Sequence, residues 1–375
     1  MKALVAQELS GPAGLVYTDA PDPANPDQVV IDVGAAGVCF PDLLLLRGEY
    51  QMRLDPPFVP GMEVAGVVRS APQKSGFSAG QRVSAFTMLG GYAEQVGVAP
   101  DAVVPTPADI DDASAASLLG NYYTMQFALQ RSGALHPGET VLVLGSAGGV
   151  GTAAVQIAKA MGANVIAMVH RPGAVEFVES LGADAVLPLT DGWRDAVLAH
   201  TGGRGVDMVV DPVGGPAFDD AIRVLATEGR LLVIGFAAGG IPTVKVNRLL
   251  LNNVDTVGVG WGAWAATHPG YLAEQWEELE PLLASGAVEL GMGSNSFIPM
   301  NLVAAGAPVK AVAAFFQKSL RTLISHPDPP PRAGQPSPSA APLHIQVAEA
   351  DRETLWPLYK ALSGLTDDQL ADYDL

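Results

Sequence analysis

The run Thr140-Val-Leu-Val-Leu-Gly-Ser-Ala-Gly-Gly-Val-Gly151 holds the residues whose types and spacing point most directly to chemistry. Four apolar residues run into a glycine cluster, and an Ala-rich helical pattern follows from Val150 to about Met161. Strand, tight turn and helix N-terminus in that order bring unpaired backbone N–H groups and the positive end of a helix dipole to one spot, as a pyrophosphate requires. Glycine alone lets the backbone approach so closely. The spacing Gly145-x-x-Gly148-x-x-Gly151 departs from the dinucleotide fingerprint at Ser146, where glycine is usual. Ser146, Ala147, Gly148, Gly149 and Val150 are the candidate phosphate-binding residues.

The next strand, Asn164-Val-Ile-Ala-Met-Val169, ends in His170-Arg171. A site that prefers NAD places Asp or Glu there, to accept from the ribose 2′-hydroxyl. Here no carboxylate opposes a 2′-phosphate, and Arg171 can pair with one. The expected cofactor is NADPH. Arg171 as a plain solvated loop residue is the alternative, and His170 either stacks on adenine or has no part.

These groups need elements to hold them. The chain has 375 residues, 49% of them hydrophobic and 42 of them glycine, enough for two domains with many turns. Residues 1–118 read as short strands separated by Pro and Gly, among them Gln28–Val33, Val64–Arg69 and Arg82–Phe86. Asp112 to about Ala134 reads as helical. From Thr140 strands and helices alternate, and six apolar strands can be counted through Val254–Val259. That pattern indicates a doubly wound parallel sheet covered on both faces. Beyond 290 come a Pro/Ser-rich linker from Pro327, a strand-like stretch at Leu343–Val347 and a helical one at Arg352–Leu362. The division expected is 1–118, 119–260, 261–290 returning to the first domain, and 291–375 as an atypical extension.

The net charge of −18 argues against nucleic acid or an anionic membrane as partner. The start shows no signal-peptide pattern, no apolar stretch suits a membrane span, and the single cysteine, Cys39, excludes an internal disulfide. A cytoplasmic protein is expected.

The chain resembles the zinc-independent quinone oxidoreductase (ζ-crystallin-like) group of the medium-chain dehydrogenase/reductases. The matching segments include Gly37-Val-Cys-Phe-Pro-Asp42, Phe58-Val-Pro-Gly-Met-Glu-Val-Ala-Gly-Val-Val68, Gly90-Gly-Tyr-Ala-Glu94, the glycine loop, Val209-Val-Asp-Pro-Val-Gly-Gly215 and Gly229-Arg-Leu-Leu-Val-Ile-Gly-Phe236. The resemblance spans about residues 1–289. It implies a GroES-like β-rich catalytic domain, then a Rossmann domain that binds NADP. It also implies a homodimer paired through the outer strands, with 240–259 at that edge. Residues after Glu289 do not supply the closing helix and Gly-Lys-Val-Val-like strand of the family.

Zinc alcohol dehydrogenases of the wider superfamily carry a catalytic Cys-His motif and a Gly-His-Glu motif. Here Phe40 follows Cys39, and Gly61-Met62-Glu63 replaces the second motif, so no metal is expected. Without a Lewis acid, simple ketone chemistry is disfavoured. Hydride addition to a quinone or an α,β-unsaturated carbonyl spreads charge onto a phenolate or enolate, which a few hydrogen bonds stabilise.

By resemblance, Tyr50 is the candidate proton donor, as in the related 2-enoyl thioester reductases, or only lines the pocket. Cys39 stands where many relatives carry Asn and is expected to line the substrate pocket. Asn121 and Thr124 lie on the helix that links the domains, Thr124 toward the nicotinamide carboxamide. Val213 and Phe236 follow strand ends that face the cofactor. Trp261 either stacks on a flat acceptor or fills core, and core is favoured. Asp211 reads as a structural carboxylate. The leading reading is an NADPH-dependent quinone or enone reductase. An enoyl-thioester reductase and a non-catalytic NADPH-binding protein are the alternatives.

Overall fold

In the computed structural model, residues 1–288 and the strand Lys310–Ala313 are described. The chain divides into two compact units that meet in sequence at Ser117 and Leu118.

The first unit holds β1 (Lys2–Ala6), β2 (Leu15–Asp19), β3 (Val29–Val38), β4 (Glu63–Ser70), β5 (Arg82–Phe86), β6 (Gln95–Val98) and β7 (Val103–Pro105). Strands β1 and β2 form an antiparallel pair. The main sheet runs β3-β4-β5-β7, with β6 also paired to β3. Alternating apolar residues such as Val29, Ile31, Val33, Val64, Val68, Val83 and Val96 fill one core around Tyr92. Among the described residues two short α-helices serve this unit, α1 (Phe40–Leu46) and α2 (Asp112–Ala115). Arg82 braces α2 by donating to Asp112 Oδ1 at 2.7 Å and to Ile110 O at 2.6 Å.

The strand Lys310–Ala313 lies parallel to β3, with Lys310 opposite Ala35 and Ala313 opposite Val38. This corrects the expectation that nothing after Glu289 supplies a closing strand. Four residues, Lys-Ala-Val-Ala, in an Ala-rich stretch give too short a periodic signal to be read as strand. The linker from Pro327 and the stretches Leu343–Val347 and Arg352–Leu362 lie outside the described residues.

The second unit opens with α3 (Leu119–Gln126), which runs into a π-helical stretch, Phe127–Ser132. The strands β8 (Thr140–Val143), β9 (Asn164–Val169), β10 (Ala185–Pro188), β11 (Val206–Asp211), β12 (Leu225–Val233) and β13 (Asp255–Gly258) form one sheet in the order β10-β9-β8-β11-β12-β13. Every pairing in it is parallel. The order reverses between β8 and β11, which is the switch point where doubly wound sheets bind ligands. Helices α4 (Gly149–Ala160), α5 (Val175–Ser180), α6 (Trp193–His200) and α7 (Phe218–Arg223) connect the strands, and α8 (Val246–Asn252) precedes β13. Strand interiors such as Val141, Leu142, Val165, Ile166, Met208, Val209, Leu231 and Leu232 are wholly buried, which accounts for their unbroken apolar character.

The last of the described helices, α9 (Trp261–Ala265) and α10 (Tyr271–Ala284), belong to this second unit, not the first as residues 261–290 were expected to. The reason is polar as well as apolar. Gln275 of α10 accepts from Trp261 Nε1 at 2.7 Å and donates to Tyr123 O of α3 at 2.9 Å, both buried. Gln126 of α3 donates to Glu278 of α10 at 2.9 Å. Among the described residues no helix is long and apolar enough to cross a membrane.

Candidate functional site

In the second unit the glycine loop joins β8 to α4. Gly148 caps α4 in an extended conformation, and the first helical bond runs from Thr152 N to Gly148 O at 2.7 Å. The amides of Gly149, Val150 and Gly151 precede that bond, so the helix itself gives them no acceptor. The glycines differ in what they do. A Cβ on Gly151 would overlap Gly145 O, so this glycine lets the helix pack on the loop. A Cβ on Gly148 would meet only Gly145 O, at 3.4 Å. Space is therefore open at Gly148, in front of the helix N-terminus, and a pyrophosphate fits such a cradle.

Helix α3 flanks this cradle. Tyr122 donates to Gln156 Oε1 at 2.6 Å in a buried bond that ties α3 to α4. Asn121 is thereby set against Gly149, where an added Cβ would lie 2.7 Å from its side-chain amide. The Thr124 hydroxyl donates back to Gly120 O at 2.6 Å, leaving its lone pairs to accept. Val213 packs on Gly145, and Phe236 packs beside Gly214. Asp211 holds this corner by accepting from Val213 N at 2.9 Å and Gly214 N at 2.8 Å. Burial raises its carboxyl, against the pull of those amides. His170 is exposed just past β9, and Arg171 is half-buried beside it.

Two expected site residues have other tasks. Ser146 is wholly buried, and its amide and hydroxyl are both engaged with Met168 of β9. A residue so occupied offers a phosphate neither group, which corrects its place among the cofactor-binding residues. Trp261 is a buried core residue, its ring 6.0 Å from that of Tyr123 and its N–H committed to Gln275. It is not a platform for a flat substrate. Ala147 is also buried, so only its backbone can serve a ligand.

The first unit carries a separate polar cluster around Asp42, a residue the sequence left without a role. Cys39 caps α1, and Asp42 at the third helical position accepts from Cys39 N at 2.8 Å. Asp42 also accepts from Tyr92 Oη at 3.0 Å and Gly61 N at 3.1 Å, so one carboxylate ties three segments together. It is 1% exposed, and burial pushes it up to about 6 despite these donors. The Cys-x-x-Asp spacing departs from the usual Ser/Thr-x-x-Glu/Gln signature, so this capping box is evident from its geometry and not from its sequence. Cys39 Sγ donates to Glu63 Oε1 at 3.2 Å. Burial, then the charges of Glu63 and Asp42, raise this thiol well above its ordinary value.

Helix α1 ends at Arg47, and Gly48 turns the chain at φ +68°, which brings Tyr50 around half-buried. Burial, then the charges of Asp42 and Cys39, raise its phenol, so it stays a proton donor near neutrality. At two positions of the superfamily's zinc motifs, Phe40 carries no metal-donor atom and Met62 is a buried thioether, a poor zinc ligand, beside the donors Cys39 and Glu63.

Residues 25–108 match the alcohol dehydrogenase GroES-like domain, and residues 149–285 match the zinc-binding dehydrogenase family. Quinone oxidoreductase-like protein 2 of Rattus norvegicus is 36% identical over 266 residues, covering 70% of this chain and 76% of that protein. The crystal structure of a probable oxidoreductase from Mycobacterium abscessus is 61% identical, with a TM-score of 0.70, and covers 76% of this chain and 88% of that one. The quinone oxidoreductase of Thermus thermophilus, solved also as its complex with NADPH, is 36% identical with a TM-score of 0.66, again over 76% and 88% of the two chains. The chain belongs to the quinone oxidoreductase group of the medium-chain dehydrogenase/reductases, a family of oxidoreductase enzymes.

Proposed function

We propose that the protein reduces quinones or other conjugated carbonyls with NADPH, by hydride transfer and without zinc. The observation that carries this reading is the open cradle at Gly148, with Arg171 in place of a carboxylate just past the end of β9. The complex of the Thermus thermophilus relative with NADPH supports the same cofactor. The amides of Ala147, Gly149 and Val150 bind the pyrophosphate, with Asn121 steadying the loop from α3. Arg171 pairs with the 2′-phosphate as a charge-assisted fork, and His170 lies along the adenine. Thr124, Val213 and Phe236 border the nicotinamide end. When bound, NADPH supplies the hydride.

The protein's own contribution is position and exclusion of water. Phe40 and Met62, in place of metal ligands, favour acceptors that delocalise the incoming charge. Cys39 lines the substrate pocket as a protonated thiol, and Tyr50 donates a proton to the enolate or phenolate oxygen. We place the enzyme in the cytoplasm. Steady-state oxidation of NADPH with benzoquinone, phenanthrenequinone and an enone tests the assignment. Turnover with at least one acceptor is expected, and none with any of them contradicts it.

The raised, half-buried Tyr50 also favours a second reading, reduction of enoyl thioesters, in which protonation of carbon needs a placed acid. On that reading Tyr50→Phe abolishes alkene reduction. For a quinone reductase the same change costs less than about tenfold, because water can protonate a hydroquinone.

A further inference from the structure

The hydroxyl of Ser146 occupies a position that joins two parts of the cofactor site. The β8–β9 ladder ends at the pair Val143 and Ala167, and Leu144 N then turns away to Val210 O of β11. Past that point Ser146 ties β9 on the β8 side, while β10 pairs its other edge at Leu187 and Pro188. The Ser146 amide donates to Met168 O at 3.1 Å, and its Oγ accepts from Met168 N at 2.9 Å. The same Oγ donates to Val143 O at 2.7 Å. Both polar groups of the Met168 backbone are thus held by one loop residue, and both Ser146 and Met168 are wholly buried. Glycine, the usual residue of the fingerprint at this place, supplies only the amide.

We propose that Ser146 is a positioning residue for recognition of the cofactor's 2′-phosphate. Its hydroxyl locks the end of β9 to the loop and so sets the span between the phosphate cradle and His170–Arg171. The first phosphate-binding amide, that of Ala147, is next to Ser146, and Arg171 follows Met168 by three. A chain of so few residues has little slack. Without the hydroxyl, Met168 N–H is a buried donor with no acceptor, and the strand end shifts to satisfy it. A charge-assisted contact at Arg171 is directional and loses most from such a shift. This inference rests on the NADPH reading.

The test is calorimetric binding of 2′,5′-ADP and of 5′-AMP to the wild type and to Ser146→Ala. Hydrogen exchange of the Met168 amide is followed in parallel. The variant is expected to bind 2′,5′-ADP about tenfold more weakly and 5′-AMP within about twofold of the wild type. The Met168 amide loses protection. Equal loss for both ligands, or no loss for either, overturns the proposal while leaving the NADPH reading intact. A wild type that does not prefer 2′,5′-ADP overturns that reading and the proposal with it. Ser146→Cys keeps a weak bridging atom at the same place, so an intermediate preference is expected from it. It decides the question if the alanine variant does not fold.

Discussion

Asp42 is the buried carboxylate that ties three segments of the first unit together. Its folded value of about 6 lies above the ordinary 3.8, because burial outweighs three donors. The native state therefore binds more protons than the unfolded chain between these values. The group's contribution to stability is fully present below the lower value and is lost as pH rises through about 6. Asp42→Asn keeps an acceptor for Gly61 N and removes the titration. Denaturant unfolding followed from pH ~4 to ~7 should lose this downward component in the variant. A variant whose pH profile matches the wild type contradicts the assignment. The sequence made this cluster hard to see because its closure is tertiary: Tyr92 and Gly61 lie far along the chain from Asp42. Ser146 was misread for the same reason, since Met168, the residue that occupies it, belongs to the next strand.

Among the elements, the strand–loop–helix unit of β8 and α4 is the part that the sequence discloses most fully. Its apolar run, glycines and Ala-rich helix each obey a local rule, so they agree without knowledge of the fold. The alternation from Thr140 to Gly258 is legible for the same reason. Two elements were less so. The first half of the strand Leu225–Val233 is hard to read from sequence, because Thr227-Glu-Gly-Arg230 breaks its apolar run. The stretch from Asp112 to about Ala134, expected to be helical, comprises two α-helices and a π-helical stretch, a division that its sequence does not mark. The loop also separates folding from binding. Gly148 is extended and open, so Gly148→Ala should leave the melting temperature near that of the wild type. Its methyl would stand where the pyrophosphate binds, weakening NADPH by about tenfold or more. Gly151→Ala should instead destabilise the fold by about 1–3 kcal/mol, because its Cβ meets Gly145 O. Fluorescence titration with NADPH, beside thermal unfolding, reads both. Reversed phenotypes contradict the division of labour.

At the scale of the whole molecule, strand β13 ends one side of the second sheet, and among the described residues no further strand pairs with its outer edge. Ile241, Val246, Leu250 and Leu251 lie just before it, and Ile241 is 79% and Leu250 75% exposed. Exposed apolar residues beside a strand edge call for a partner, and we propose a second copy of the chain. Leu250→Glu with Leu251→Glu should convert a dimer to a monomer in sedimentation velocity, and a wild-type monomer contradicts the proposal. The central claim is a zinc-free site selective for NADPH, and one measurement bears on it most directly. The rate of phenanthrenequinone reduction is compared with NADPH and with NADH, before and after exhaustive dialysis against a chelator. The account predicts a rate unchanged by dialysis and a kcat/KM at least about tenfold higher with NADPH, as a charge-assisted pair at Arg171 would give. Activity lost on chelation and restored by zinc, or an equal rate with NADH, would contradict it.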